Sequence, residues 1–149
     1  MHDIRHRVGI RAPVHTVYSA VATPDGIRAF WTNQVDGESS LGGRLGFYFG
    51  GPTPAAIAEV IELSPDELVR WRCVDGPAEW IDTTITFGVH DSGDEAVLLS
   101  THGGWREPGE FMHHCSTKWA TFLIGLRSGL EGGRFTAFPD DARISTGWR

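Results

Sequence analysis

Between residues 34 and 105 the apolar residues follow short, strand-like periods, and from residue 110 they follow a helical one. This change of period constrains the fold more than any other feature of the chain. In the first stretch turn signals recur at Asp36-Gly37, Gly42-Gly43, Gly50-Gly51-Pro52, Ser64-Pro65-Asp66, Asp75-Gly76-Pro77 and Asp91-Ser92-Gly93-Asp94. Between them lie GRLGFYF (43–49), AAIAEVIEL (55–63), ELVRWRCV (67–74), WIDTTITFGVH (80–90) and EAVLLSTHGGW (95–105). Short segments rich in β-branched and aromatic residues, joined by short loops, predict an antiparallel meander of five or six strands. The turns at Ser64–Asp66 and Asp91–Asp94 carry the strongest hairpin chemistry. In the second stretch Phe111, Met112, Cys115, Trp119, Phe122, Leu123, Leu126 and Leu130 repeat at three and four residues. His113, His114, Lys118, Thr121 and Arg127 fall mostly on the other side. That pattern predicts one long amphipathic helix over 110–131, stopped by Gly132-Gly133.

The chain before residue 34 supplies the remaining elements. Ile4, Val8 and Ile10 alternate with Arg5, Arg7 and Arg11, which predicts a first strand with one wet face. Pro13 opens a short helix carrying Val14, Val17, Tyr18 and Val21. Thr23, Pro24 and Asp25 restart the chain as a second short helix bearing Ile27, Phe30 and Trp31: a capping hydroxyl, a first-turn proline and an acid at the positive end of the dipole. A helix with one wide apolar face must bury it, and a curved sheet offers the concave surface. The expected fold is therefore α+β, of helix-grip type. A curved antiparallel sheet of six or seven strands wraps a long C-terminal helix, with two short helices after the first strand. One domain is expected over residues 1–149, with a core at about 3–133 and an aperiodic arm at 134–149. Nineteen glycines in 149 residues suit a bent sheet with many turns.

Charge and motif content exclude several functions. Thirteen basic residues stand against 19 acidic ones, a net charge of −6, and the arginines are scattered; no nucleic-acid partner is expected. No apolar run approaches the ~20 residues of a membrane span, and no signal-peptide pattern opens the sequence, so the expected compartment is the cytoplasm. Cys73 and Cys115 sit in no CxxC or Cys/His cluster, and both read as small core residues. The seven histidines form no metal-ligand arrangement, and no metal or cofactor is expected. His113 and His114 diverge around the helix and cannot chelate from one face. Phosphate-binding glycine loops and a GxSxG elbow are missing from the sequence.

The run Ala12-Pro13-Val14-His15-Thr16-Val17-Tyr18-Ser19-Ala20-Val21, followed by Phe30-Trp31, resembles the opening of the START-like (SRPBCC) superfamily. Thr101-His102-Gly103-Gly104-Trp105, then Trp119–Leu123 and Leu130-Glu131-Gly132-Gly133, is similar to its subgroup named after the activator of the heat-shock-chaperone ATPase. The likeness spans about residues 3–133. It implies a cavity between sheet and long helix that holds an apolar or amphipathic small molecule.

Candidate site residues follow from side-chain direction. Phe47, Phe49, Trp71, Phe87, Trp119 and Phe122 turn toward the space between sheet and helix, and Trp31 caps one end. They wall a cavity or fill a solid aromatic core. Leu98, Ser100 and His102 share one strand face; if it is the inner one, Ser100 and His102 orient a ligand, and His102 is the best candidate for a general base. The plain alternative is a histidine hydrogen-bonded near its strand end. Glu59 is either an edge carboxylate or the acid partner of His102. Trp80, Trp105 and Trp148 are candidates for an exposed patch or a homodimer contact. The leading expectation is a small-molecule binding domain. The alternatives are an enzyme of cyclase, dehydratase or hydrolase type on the same cavity and a chaperone-cofactor-like interaction module.

Overall fold

A computed structural model describes residues 1–148. Strand β1 (His2–Ile10) buries Ile4 and Ile10 and exposes the arginines between them, as its alternation requires. Helices α1 (Val14–Ala22) and α2 (Pro24–Phe30) follow, and Thr23 serves both. Its backbone N–H closes α1 on the Ser19 carbonyl, while its hydroxyl accepts from the Gly26 N–H at 3.1 Å to cap α2. Two helices joined by one residue press together, and a Cβ at Gly26 would stand 2.4 Å from the Ala20 carbonyl oxygen. Glycine is required there by space.

Six more strands follow: β2 (Gln34–Gly37), β3 (Arg44–Tyr48), β4 (Ala56–Ser64), β5 (Leu68–Asp75), β6 (Thr84–Asp91) and β7 (Ala96–Trp105). They form one antiparallel sheet with β1, in the order β1-β7-β6-β5-β4-β3-β2. β4 carries two register shifts, at Ile57/Ala58 and Val60/Glu62, which bend the sheet. Across the concave face Val60, Trp71, Ile85, His102 and Ile4 fall in one row, and Phe87 lies opposite Val69 and Ser100. The convex face carries Arg70, paired with Glu62, and Arg72, paired with Glu59 at 3.4 Å.

Helix α3 (Glu110–Leu130) lays Cys115, Trp119, Phe122, Leu123 and Leu126 into that concavity. Its end is a Schellman motif: Gly133 N–H bonds the Ser128 carbonyl at 2.8 Å, and Gly132 adopts φ 93°, open to glycine without a Cβ penalty. The fold is thus α+β, with the order of elements read from the sequence.

The structure departs from that reading in four places. The segment expected as a strand from residue 80 begins with a single 3-10 turn, Ala78–Trp80, and β6 starts only at Thr84. Asp82, at φ 67°, redirects the chain between them. Trp105 is 1% exposed, so it belongs to the core and not to a surface patch. Glu59 and His102 are separated by β5 and β6, and Glu59 pairs with Arg72 instead. Finally, Lys118 and His114 do not share the wet side of α3. Lys118 is 6% exposed and His114 half-buried, because their positions fall on the same arc of the helix as Phe111, Cys115 and Phe122.

Candidate functional site

Along α3, Phe111, His114, Cys115, Lys118, Trp119 and Phe122 recur at three and four residues and form one continuous stripe. This stripe meets the sheet at Phe111, whose ring centroid lies 6.1 Å from that of Trp105 on β7. It faces a cavity of about 270 Å³, whose other walls are Trp31 and Phe49, Ala55 and Ala56 at the start of β4, Pro77 and Trp80, and Gly147 and Trp148 of the arm. Trp80 and the arm close it on two further sides.

Trp31 organises the aromatic wall from the end of α2. Its ring centroid lies 4.5 Å from Phe47, 4.9 Å from Trp119 and 5.7 Å from Phe49. It stacks nearly parallel to Trp71 and Trp80, at 6.3 Å each. The sequence candidates therefore divide into layers. Trp31, Phe49, Trp119 and Phe122 form cavity wall. Phe47, Trp71 and Phe87 stand behind them as fully buried support. Ser100 and His102 are buried on β7, outside the lining.

His102 has a defined chemical state. The Thr83 hydroxyl donates to the Trp80 carbonyl at 2.6 Å, so toward His102 Nε2, at 2.8 Å, it accepts. His102 thus carries its proton on Nε2. Its Nδ1 accepts from the Trp119 indole N–H at 3.2 Å, and its carbonyl accepts from the Trp105 indole N–H at 3.1 Å. Burial pushes its pKa down to about 3, so the ring is neutral. With both nitrogens engaged, it ties α3, β7 and the 3-10 turn together and holds two tryptophans in place. In this arrangement no lone pair of the ring is left to take a proton from a ligand.

The polar groups on the cavity wall itself were missed in the sequence, where residue type placed them outside. Lys118 Nζ donates to the Asp141 carboxylate and, at 2.7 Å, to the Ala142 carbonyl, and it sits 4.9 Å over the Phe122 ring. This buried pair pins the arm to α3. His114 stacks on Phe111, and its Nε2 is buried without a hydrogen-bond partner among the described residues. Burial pushes the Cys115 thiol up to about 12 and Cys73 to about 11, so neither is a thiolate nucleophile. The helical wheel from Phe111 to Phe122 was the signal that would have found His114 and Lys118.

The arm adds a third wall. Phe138 makes a parallel bridge with Thr32, hydrogen-bonds Trp31 and Asn33 through its backbone, and packs edge-on against Phe49. Farther along, Trp148 packs on Phe111 and His114. Among the described residues no cluster of His, Cys, Asp or Glu has the arrangement of a metal site, and no helix is long and apolar enough to cross a membrane.

Residues 11–131 match the family model described as Activator of Hsp90 ATPase homolog 1-like protein. No curated protein matches the chain. The solution structure of the Aha1 dimer from Colwellia psychrerythraea is similar at 36% identity and a TM-score of 0.80, over 89% of this chain and 98% of that one. A protein from Staphylococcus saprophyticus is similar at 18% identity and a TM-score of 0.73, over 90% of this chain and 95% of that one. CalU16 from Micromonospora echinospora is similar at 21% identity and a TM-score of 0.69, over 87% of this chain and 73% of that one. At these lower identities the likeness is one of fold.

Proposed function

The chain belongs to the Activator of Hsp90 ATPase homolog 1-like family, and from that premise we propose that it binds an apolar or amphipathic small molecule between its sheet and α3. The observation that carries the reading is the stripe from Phe111 to Phe122. A helix face this apolar is ordinarily buried against its sheet, yet here it borders about 270 Å³ of open space. Binding is driven by removing the aromatic walls from water. The arrangement favours a binder over a cyclase or hydrolase that would use His102 as its base, because that histidine lies behind the wall, is neutral and is committed to Thr83 and Trp119.

The test is a fluorescence titration with N-phenyl-1-naphthylamine, a neutral aromatic probe that brightens when it leaves water. Saturable one-to-one binding is expected. Ala56→Leu, which places a larger side chain in the wall, is expected to weaken it by about tenfold or more. No saturable signal from the wild-type protein, or equal affinity in the variant, would overturn the proposal.

A further inference from the structure

The cavity wall contains one side chain that is both poorly anchored and placed over an unsatisfied polar atom. Trp148 is 39% exposed. Its ring packs edge-on against Phe111 at 5.5 Å and against His114 at 5.1 Å. Upstream, the arm is held firmly by Phe138 at Thr32 and by Asp141 at Lys118. Beyond Ala142 every residue to Trp148 is exposed, so the tryptophan hangs on a short, lightly held segment. Beneath it, His114 lies parallel to Phe111 at 6.2 Å, with its Nε2 buried and without a hydrogen-bond partner among the described residues. A buried imidazole nitrogen without a partner carries a desolvation cost that its partnered state does not.

Resting on the cavity reading above, we infer that Trp148 is a removable plug, and that the ligand replaces it with a planar apolar body bearing one hydroxyl or carbonyl group for His114 Nε2. The ligand class follows from what is replaced. The indole is flat and meets both Phe111 and His114 in T-shaped contact, so its successor is flat as well. It gives His114 nothing to bond through Nε2, so a successor with one polar group binds better than one without. A hydroxyl donates to Nε2 when that nitrogen is bare, and a carbonyl accepts from it when it carries the proton. The anchors at Phe138 and Asp141 keep the rest of the arm in place, so exchange moves only the segment after Ala142.

The experiment compares 2-naphthol with 2-methylnaphthalene, which share a shape and differ in the hydroxyl, by displacement of N-phenyl-1-naphthylamine from the full-length chain. Wild-type protein is expected to prefer 2-naphthol by about tenfold. Trp148→Ala is expected to bind both compounds more tightly and keep the preference. His114→Phe, which preserves the ring stack, is expected to lose the preference; His114→Leu is the second variant should the first not fold. Independently of any His114 variant, the Trp148 indole N–H signal in a two-dimensional NMR spectrum, assigned by its absence in Trp148→Ala, is expected to move to a solvent-exposed position when 2-naphthol binds. Equal binding of the two compounds by wild-type protein, weaker binding by Trp148→Ala, or an unmoved Trp148 signal would overturn the inference and leave the cavity reading intact. Failure of N-phenyl-1-naphthylamine itself to bind would overturn the cavity reading instead.

Discussion

His102 shows how one buried ring makes a fold sensitive to acid. Burial lowers its pKa from 6.5 to about 3, while the unfolded chain titrates at the ordinary value. As pH falls the unfolded state therefore takes up the proton first. The contribution of the neutral ring is complete above pH 6.5 and is lost progressively as pH falls toward about 3. His102→Leu removes the titration and leaves the Trp119 N–H without its acceptor. At pH 7 the variant is expected to lose about 1–3 kcal/mol in urea unfolding. Between pH 6.5 and 4 it is expected to lose less than the wild type does. Parallel losses in the two proteins would mean that carboxylates alone set the acid response. Alternation along β7 made it legible in the sequence that His102 shares a face with Leu98 and Ser100, but not that this face turns inward, which the structure shows. Its partners were not legible either: Thr83 and Trp119 come from a turn and a helix that only the tertiary structure brings to it.

The same limit appears among the elements. The long helix was legible from end to end, since its apolar period and its two glycines are local signals. The arm has no period, and beside the Phe138 bridge to Thr32 it is held by a buried charge pair between Lys118 and Asp141, 23 residues apart. No local pattern announces such a contact, and the lysine was assigned to solvent because its type is usually found there. The pair makes a specific forecast. Asp141→Asn leaves a buried ammonium without its carboxylate and is expected to cost about 3–5 kcal/mol. Lys118→Met with Asp141→Leu removes both charges and is expected to cost far less, or nothing. Urea unfolding of Lys118→Met, of Asp141→Leu and of the double gives the coupling directly. If the double variant loses as much as the two singles added together, the charges do not act as a pair. Limited proteolysis adds a second readout, because Asp141→Asn is expected to open cleavage within residues 134–148 while the sheet stays protected.

At the scale of the whole molecule, the open question of the sequence was whether the aromatic residues fill a core or line a space. Their identities do not decide it, because the same alternation serves both. The structure divides them: Phe47, Trp71 and Phe87 are fully buried support, and the wall in front of them borders a cavity of about 270 Å³. Thermal stability distinguishes this division from a fully packed core by its sign. In a well-packed interior Ala56→Leu overfills the site and costs about 1–3 kcal/mol. In an underfilled one the added methyl groups occupy empty space, gain contacts and raise the melting temperature of the free protein. The second half of the forecast uses linkage. A ligand at about 100 times its dissociation constant stabilises the native state by about 2.7 kcal/mol, which for a chain of this length corresponds to a rise of roughly 5–10 °C. Wild-type protein with saturating N-phenyl-1-naphthylamine is expected to show that rise. Ala56→Leu is expected to start from a higher melting temperature and gain little from the probe. A variant that melts lower than the wild type would mean that Trp31, Trp80 and Trp119 already close around Ala56 in solution. The aromatic wall would then be a core, and a function would have to be sought on the outer surface.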